Sequence, residues 1–409
     1  MPRNSARDLI TNASRRSFMR SLGAASMGAF ALPALTEAHF AWAQTSKSAR
    51  SGSRLDWANI PDDAVLINAN ENPLGPCPAA LDAVNRMGPK GGRYDFGQTI
   101  KLGEVINEQM GLKPGYLAIY AGSSEPLQFA TMAFTSPTKS LVIANPSYEA
   151  AARAAKDVNA KIHYVPLKAD YSHDVKAMVA ADPDAGMIYI CNPNNPTGTI
   201  TRREDIVWAL NNKPKGSTLV VDEAYIHLSD AEPVVDLAAA GKDLIVLRTF
   251  SKVYGMAGLR CGFAVGRPEL LEKLRLYGMN AMPITGAAAA RASLLDKTLV
   301  PERKKIIGDI RENTFAWLAA SNYKFIPSQS NCFMIDCKRP GKEVYAAMTK
   351  KGVYIGRTWP VWPDYVRVTV GTADEMARFQ TAFKQVMDSP TKSAAFRDPL
   401  AHVPFSHLA

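Results

Sequence analysis

Residues 249–262 read TFSKVYGMAGLRCG. An apolar run, Leu244–Leu247, leads into this stretch, and a second, Cys261–Val265, leads out. Between them glycine recurs too often for a helix, and the polar groups are too many for a buried strand. The stretch reads as a loop at the end of a strand, with an amine (Lys252) and a guanidinium (Arg260) eight positions apart. Glycine lets such a backbone turn tightly, so both cations can face one small ligand.

Outward from this loop, short apolar runs alternate with helical patterns. Predicted strands lie at Leu117–Tyr120, Ser140–Ala144, Lys161–Pro166, Gly186–Cys191 and Thr218–Val221, besides the two flanking the loop. Helices are expected between most of them, for example over Tyr148–Val158 and Arg202–Leu210. Continuous apolar strands alternating with helices predict an α/β fold, with a mainly parallel sheet covered by helices on both faces. After Pro301 comes the long helical pattern ERKKIIGDIRENTFAWLAA. Strands at Cys332–Cys337 and Tyr365–Val370 and helices at Lys342–Lys350 and Ala373–Met387 then suggest a smaller α+β unit. The expected division is a large domain over 68–299, with 68–75 serving the small domain and the substrate site, and a small domain over 300–388.

The ends of the chain read differently. Ser14-Arg15-Arg16-Ser17-Phe18-Met19-Arg20 precedes an uncharged stretch and then Ala41-Trp42-Ala43, a small-x-small cleavage pattern. A basic region, a short apolar region and such a site make an export signal over 1–43. The apolar run is too short to predict a stable membrane span. Residues 44–67 read as a linker and N-terminal segment, and 389–409 as a tail. The chain carries a net +10, of which five arginines against Asp8 and Glu37 place +3 in the first 43 residues. The other +7 is dispersed, with no basic run interleaved with aromatics, so nucleic-acid binding is not expected. Five cysteines without a C-x-x-C point to neither a disulfide framework nor a zinc site.

Polar clusters follow four predicted strands. They are Gly122-Ser123-Ser124-Glu125, Asn192–Gly198 (NPNNPTG), Asp222-Glu223-Ala224-Tyr225 and Ser251-Lys252. Taken singly, each fits an ordinary N-cap, turn or surface charge. Together they supply an amine nucleophile, a carboxylate at a buried strand end, a phenol and an anion-binding helix start. Pyridoxal 5′-phosphate chemistry needs that set: a lysine for the aldehyde, a carboxylate for the pyridine nitrogen, and N–H groups, hydroxyls and an arginine for the phosphate.

With these residues in view, the chain resembles the fold-type I aminotransferases of class I/II, most closely the histidinol-phosphate aminotransferase group, from about Asn68 to Met387. The most specific element is the spacing of Ser251, Lys252 and Arg260 after Asp222–Tyr225. The resemblance implies that Lys252 is the catalytic lysine, linked to the cofactor as a Schiff base, and that Asp222 pairs with the ring nitrogen. It implies that Tyr225 and Asn195 contact the 3-oxygen and that Ser123, Ser124, Ser251 and Arg260 hold the phosphate. It further implies that Tyr148 stacks on the ring, that Tyr94 reaches the phosphate of a neighbouring subunit in a homodimer, and that Arg367, Asn72 and Arg357 bind substrate. Tyr94 lies in Arg93-Tyr94-Asp95, without the proline usual in that group, and Trp359-Pro360-Val361-Trp362-Pro363 also departs from it.

The implied activity is transfer of an amino group from an amino acid or related primary amine to a 2-oxo acid. Oxidase, lyase or decarboxylase chemistry on the same fold, or a non-catalytic exported binding protein, are the alternatives. No metal is expected. The N-terminal segment resembles a twin-arginine signal (S-R-R-x-F-L-K), with Met19 and Arg20 in place of leucine and lysine. It implies a periplasmic or exported protein; were it not a signal, the protein would be cytoplasmic.

Overall fold

A computed structural model describes residues 59–278 and 281–390. The signal stretch, residues 44–58 of the linker and the tail from 391 lie outside these. Strand β1 (Val65–Ile67) opens the described chain, and α1 (Pro78–Met87) and α2 (Gly97–Met110) follow. Then β2 (Leu117–Tyr120), β3 (Leu141–Asn145), β4 (Ile162–Pro166), β5 (Met187–Cys191), β6 (Thr218–Asp222), β7 (Leu244–Thr249) and β8 (Gly262–Val265) build one seven-stranded sheet, in the order β2-β8-β7-β6-β5-β3-β4. The helices among and after these strands are α3 (Ser124–Phe134), α4 (Ala150–Asp157), α5 (Val175–Ala180), α6 (Arg203–Asn212), α7 (Val235–Ala239), α8 (Pro268–Arg275) and α9 (Ile284–Leu295).

The ladders β4-β3-β5-β6-β7 are parallel, whereas β8 runs antiparallel to both its neighbours. Every residue of β5, β6 and β7 is buried, which is why these strands read as unbroken apolar runs rather than alternating ones. The reversal at β8 follows from the TFSKVYGMAGLRCG loop. Without a crossover helix after β7, the chain can only return antiparallel. Gly255 makes the turn possible, with φ +67° and the space for its absent Cβ taken up 2.0 Å away by the Gly75 carbonyl oxygen.

The remaining elements are α10 (Leu299–Ala320), β9 (Lys324–Ile326), β10 (Cys332–Asp336), α11 (Gly341–Thr349), β11 (Val353–Ile355), β12 (Tyr365–Thr369) and α12 (Ala373–Asp388). Strands β12-β10-β9 form a small antiparallel sheet, and β11 pairs in parallel with β1, at the start of the described chain. Helix α12 starts on a reciprocal cap in which Thr372 Oγ1 accepts from Glu375 N at 3.2 Å and Glu375 Oε2 accepts from Thr372 N at 2.7 Å. All three sheets belong to one compact unit. Among the described residues no helix is long and apolar enough to cross a membrane, and no group of three or more His, Cys, Asp or Glu could hold a metal. All five cysteines are buried free thiols.

Candidate active site

In an open parallel sheet the polar work is done beyond the carboxyl ends of the strands. Here those ends bring the clusters together. Asp222 closes β6 and is buried; its Oδ2 accepts from Tyr189 Oη at 3.0 Å and its Oδ1 from Ala224 N at 3.1 Å. Burial pushes this carboxyl up to about 6, opposed by those two hydrogen bonds and by the charge of Lys252.

Lys252 leaves the end of β7 and reaches over the sheet. Its Nζ donates to Asn70 O at 3.0 Å and lies 5.5 Å from the centroid of the Tyr225 ring. Tyr225 is buried, and burial holds its phenol well above the ordinary range. Its Oη accepts from Asn70 Nδ2 at 3.0 Å.

The loop after β5 is fixed by Asn194. Its side chain donates to Pro146 O at 3.1 Å and Thr197 Oγ1 at 3.0 Å, and accepts from Ser147 Oγ at 2.9 Å. This ties the Asn195 loop to the Pro146–Tyr148 loop, so that Asn195 and Tyr148 are positioned together. Tyr148 Oη lies 3.3 Å from Ser124 Oγ.

A third group forms an anion cradle. Helix α3 begins after β2 with Ser123 as its N-cap, where backbone N–H groups and the helix dipole favour negative charge. Arg260 arrives from the far end of the β7–β8 loop, donating to Ala121 O at 3.0 Å and Ala257 O at 2.9 Å. Its own backbone is left-handed, φ 53°, which costs a non-glycine residue about 1 kcal/mol. Gly122 makes room for it, since a Cβ there would lie 2.2 Å from Arg260 Nη2. Ser251 is buried at the same strand end, its Oγ accepting from Thr249 Oγ1 at 3.0 Å.

The small sheet covers this assembly. Arg367 and Thr369 share one face of β12 by the two-residue period. Arg367 Nη1 donates to Asn195 Oδ1 at 3.0 Å and Nη2 to Asn68 O at 2.6 Å, while Nε is buried without a partner among the described residues. Burial pushes this guanidinium below its usual value. Thr369 Oγ1 donates to Asn70 Oδ1 at 3.2 Å.

Three of the sequence-predicted residues stand apart. Asn72 turns its amide to the backbone, donating to Val253 O at 2.9 Å and accepting from Leu74 N at 3.0 Å. It braces the lysine loop, and Asn70 is the asparagine that reaches the site. Tyr94 is 78% exposed and is not brought to the site within one chain. Arg357 is about half exposed and paired with Glu149 at 2.6 Å. Sequence reasoning missed Asn70, Tyr189 and Thr369. A phenol inside the otherwise apolar β5, one strand from Asp222, was a usable sign of Tyr189; nothing local marked the other two.

The residues fit pyridoxal 5′-phosphate on these observations. A buried carboxylate raised by desolvation suits a cationic ring nitrogen. A helix start opened by Gly122 beside Arg260 suits a phosphate. The amine of Lys252, above the Tyr225 ring, suits the aldehyde.

Comparison with known proteins agrees. Residues 62–383 match the family "Aminotransferase class I and II", and the chain belongs to that family. It is 33% identical over 335 residues to histidinol-phosphate aminotransferase 1 of Nitrosococcus oceani, covering 80% of this chain and 89% of the relative. It is 32% identical over 335 residues to an aromatic amino acid aminotransferase of Cutibacterium acnes, covering 81% and 94%. The histidinol-phosphate aminotransferase of Sinorhizobium meliloti, solved with pyridoxal-5′-phosphate, superposes with a TM-score of 0.74 at 25% identity, covering 79% and 91%. The chain is a fold-type I, pyridoxal-phosphate-dependent aminotransferase.

Proposed function

We propose that this transaminase works at the strand-end site just described, as an exported homodimer, on an amino acid or related amine rather than in histidine biosynthesis. The observation that carries the site is the convergence of Asp222 and Tyr225 at the end of β6, Lys252 beyond β7 and Arg367 on β12. When bound, the cofactor supplies an aldehyde that takes up primary amines and a protonated ring that draws electrons.

Asp222 would hold a protonated ring nitrogen through its buried carboxylate. Tyr225 and Asn195 would hydrogen-bond the 3-oxygen, and Tyr148 would cover the ring face. Ser123, Ser124, Ser251 and Arg260 would hold the phosphate. Lys252 Nζ would hold the cofactor's aldehyde carbon and, once a substrate amine has freed it, would be the base placed to accept and return the substrate α-proton. Arg367 grips the substrate carboxylate, for which its unpartnered Nε is available, with the bidentate geometry that a guanidinium allows. The two half-reactions share these groups, so donor and acceptor alternate.

Dimerisation is supported by Tyr94, whose ring stacks on Phe96 at 5.8 Å beside Ile100, all three well exposed. An exposed aromatic patch of this kind marks an interaction surface, and Tyr94 would reach the partner's phosphate cradle from it. Export is supported by the Arg15-Arg16 signal, and an exported location sits poorly with a cytoplasmic biosynthetic substrate. Fractionation of cells carrying Arg15→Lys/Arg16→Lys tests it: the double variant should stay in the cytoplasm, and unchanged location would remove the claim.

The reaction is tested by following keto product against 2-oxo acid consumed. One-to-one coupling is expected, and keto product formed without 2-oxo acid would contradict it.

A further inference from the structure

The hydrogen bonds around Asn70 have directions that can be assigned. Its backbone N–H donates to Thr369 Oγ1 at 2.9 Å. That hydroxyl has a single hydrogen of its own, which it gives to Asn70 Oδ1 at 3.2 Å. Receiving a hydrogen marks that atom as the oxygen of the side-chain amide. The amide nitrogen therefore faces the other way, donating to Tyr225 Oη at 3.0 Å and to Cys332 Sγ at 3.2 Å. The thiol of Cys332 agrees, since it donates its own hydrogen to Pro196 O at 3.8 Å.

This orientation decides what Tyr225 can do. A phenol that receives a hydrogen from Asn70 keeps its own for another acceptor. With the amide turned over, the amide oxygen would take that hydrogen instead. Bonded groups also polarise one another, so a phenol that receives becomes the better donor. A negative 3-oxygen on the cofactor calls for a donor of this kind. Asn70, Thr369 and Tyr225 are all buried, where a hydrogen bond counts for more than at a wet surface. Asn70 holds φ 55°, a left-handed backbone that asparagine tolerates better than most residues. In that conformation its carbonyl accepts from Lys252 Nζ at 3.0 Å and from Asn331 Nδ2 at 3.1 Å.

We propose that Thr369 and Asn70 are positioning residues that set the direction of the Tyr225 hydrogen bond. Thr369 holds the Asn70 amide with its nitrogen toward Tyr225, and Tyr225 is thereby made a donor to the 3-oxygen of the cofactor. This rests on the site reading above, in which Tyr225 meets that oxygen.

The readout is the pH at which the visible band of the bound cofactor changes. A hydrogen bond donated to the 3-oxygen draws on negative charge beside the lysine nitrogen, which then gives up its proton at lower pH. Losing the donor moves the change to higher pH. The titratable groups that face Tyr225 are Lys252 after β7, Cys191 of β5, Cys332 of β10 and Arg367 of β12, and every variant keeps them. Thr369→Val, which keeps the branched shape without the hydroxyl, should raise the midpoint by about half a pH unit, as loss of one neutral hydrogen bond would. Thr369→Ser, which keeps the hydroxyl and drops the methyl, should stay near the wild-type midpoint. Asn70→Gly, which suits the left-handed backbone, should rise at least as far as Thr369→Val. Adding Thr369→Val to it should change nothing more, because the hydroxyl acts through the amide. A packing role for Thr369 would disturb the serine variant more than the valine one.

Thermal melts of each holoenzyme check folding, and should Thr369→Val not fold, Asn70→Gly against wild type decides. A midpoint unmoved or lowered in the folded variants, or a serine variant shifted as far as the valine one, would overturn the inference. So would a further shift on adding Thr369→Val to Asn70→Gly, or a wild-type band that does not change with pH. A wild type with no visible band would fail the site reading first, and the inference with it.

Discussion

The cofactor half of the site and the substrate half are built on different principles. The cofactor half hangs on one rigid sheet: Ser123, Asn195, Asp222 and Lys252 each lie within a few residues of the end of a buried strand. The substrate half is assembled across the chain. Asn70 and Thr369, 299 positions apart, bond to each other, and Arg367 reaches Asn195 from 172 positions away. Chemistry common to a family needs the first kind of construction. Choice of substrate can be altered in the second without disturbing the first.

That contrast can be broken by mutation, and the largest effect belongs to the cofactor half. Lys252→Ala should lower turnover by about 10³-fold or more, as loss of a group that both holds the cofactor and moves the proton. The visible band of the bound cofactor should vanish with it, as a spectrum will show. Retained turnover would break the contrast at once.

Next comes Asp222. Its folded value is raised to about 6 by burial, so the cofactor-free folded chain binds this proton more tightly than the unfolded chain does. The stability from this group is fully present below about pH 4 and is lost as pH rises through about 6, amounting to about 3 kcal/mol. Asp222→Asn should remove that slope from cofactor-free protein in denaturant melts at about pH 4.5 and 7.5, while weakening retention of the cofactor. An unchanged slope would place the titration elsewhere.

Arg367→Lys probes the substrate half. It should raise KM for carboxylate donors by about 10- to 100-fold, because an ammonium cannot supply the fork. The cofactor spectrum should hardly move. A large spectral change would show that the Asn195 contact at 3.0 Å couples the two halves more tightly than their construction suggests. As a baseline, Lys305→Ala breaks only the exposed pair with Asp309 and should cost less than about 0.5 kcal/mol in a melt.

The same contrast explains what could be read from the sequence. Seven strands of the large sheet were legible to within two residues at each end, because each is an apolar run bounded by turn residues. Three-residue strands β1, β9 and β11 were not, since so short a run has no period to recognise. The antiparallel β8 was hidden for a different reason: the loop before it announces its ligands but not the direction of return. In the site, strand-end residues were found because proximity in sequence to a strand end fixes place in space. Asn70 could not be separated from Asn72 within Asn-Ala-Asn-Glu-Asn-Pro, where only φ 55° at Asn70 turns one amide inward.

The central claim is that Lys252 holds the cofactor. Borohydride treatment of the holoenzyme, followed by peptide mass mapping, tests it directly. The account predicts a single pyridoxyl adduct on the peptide containing Lys252; an adduct on another lysine, or none on a protein that carries the visible band, would contradict it.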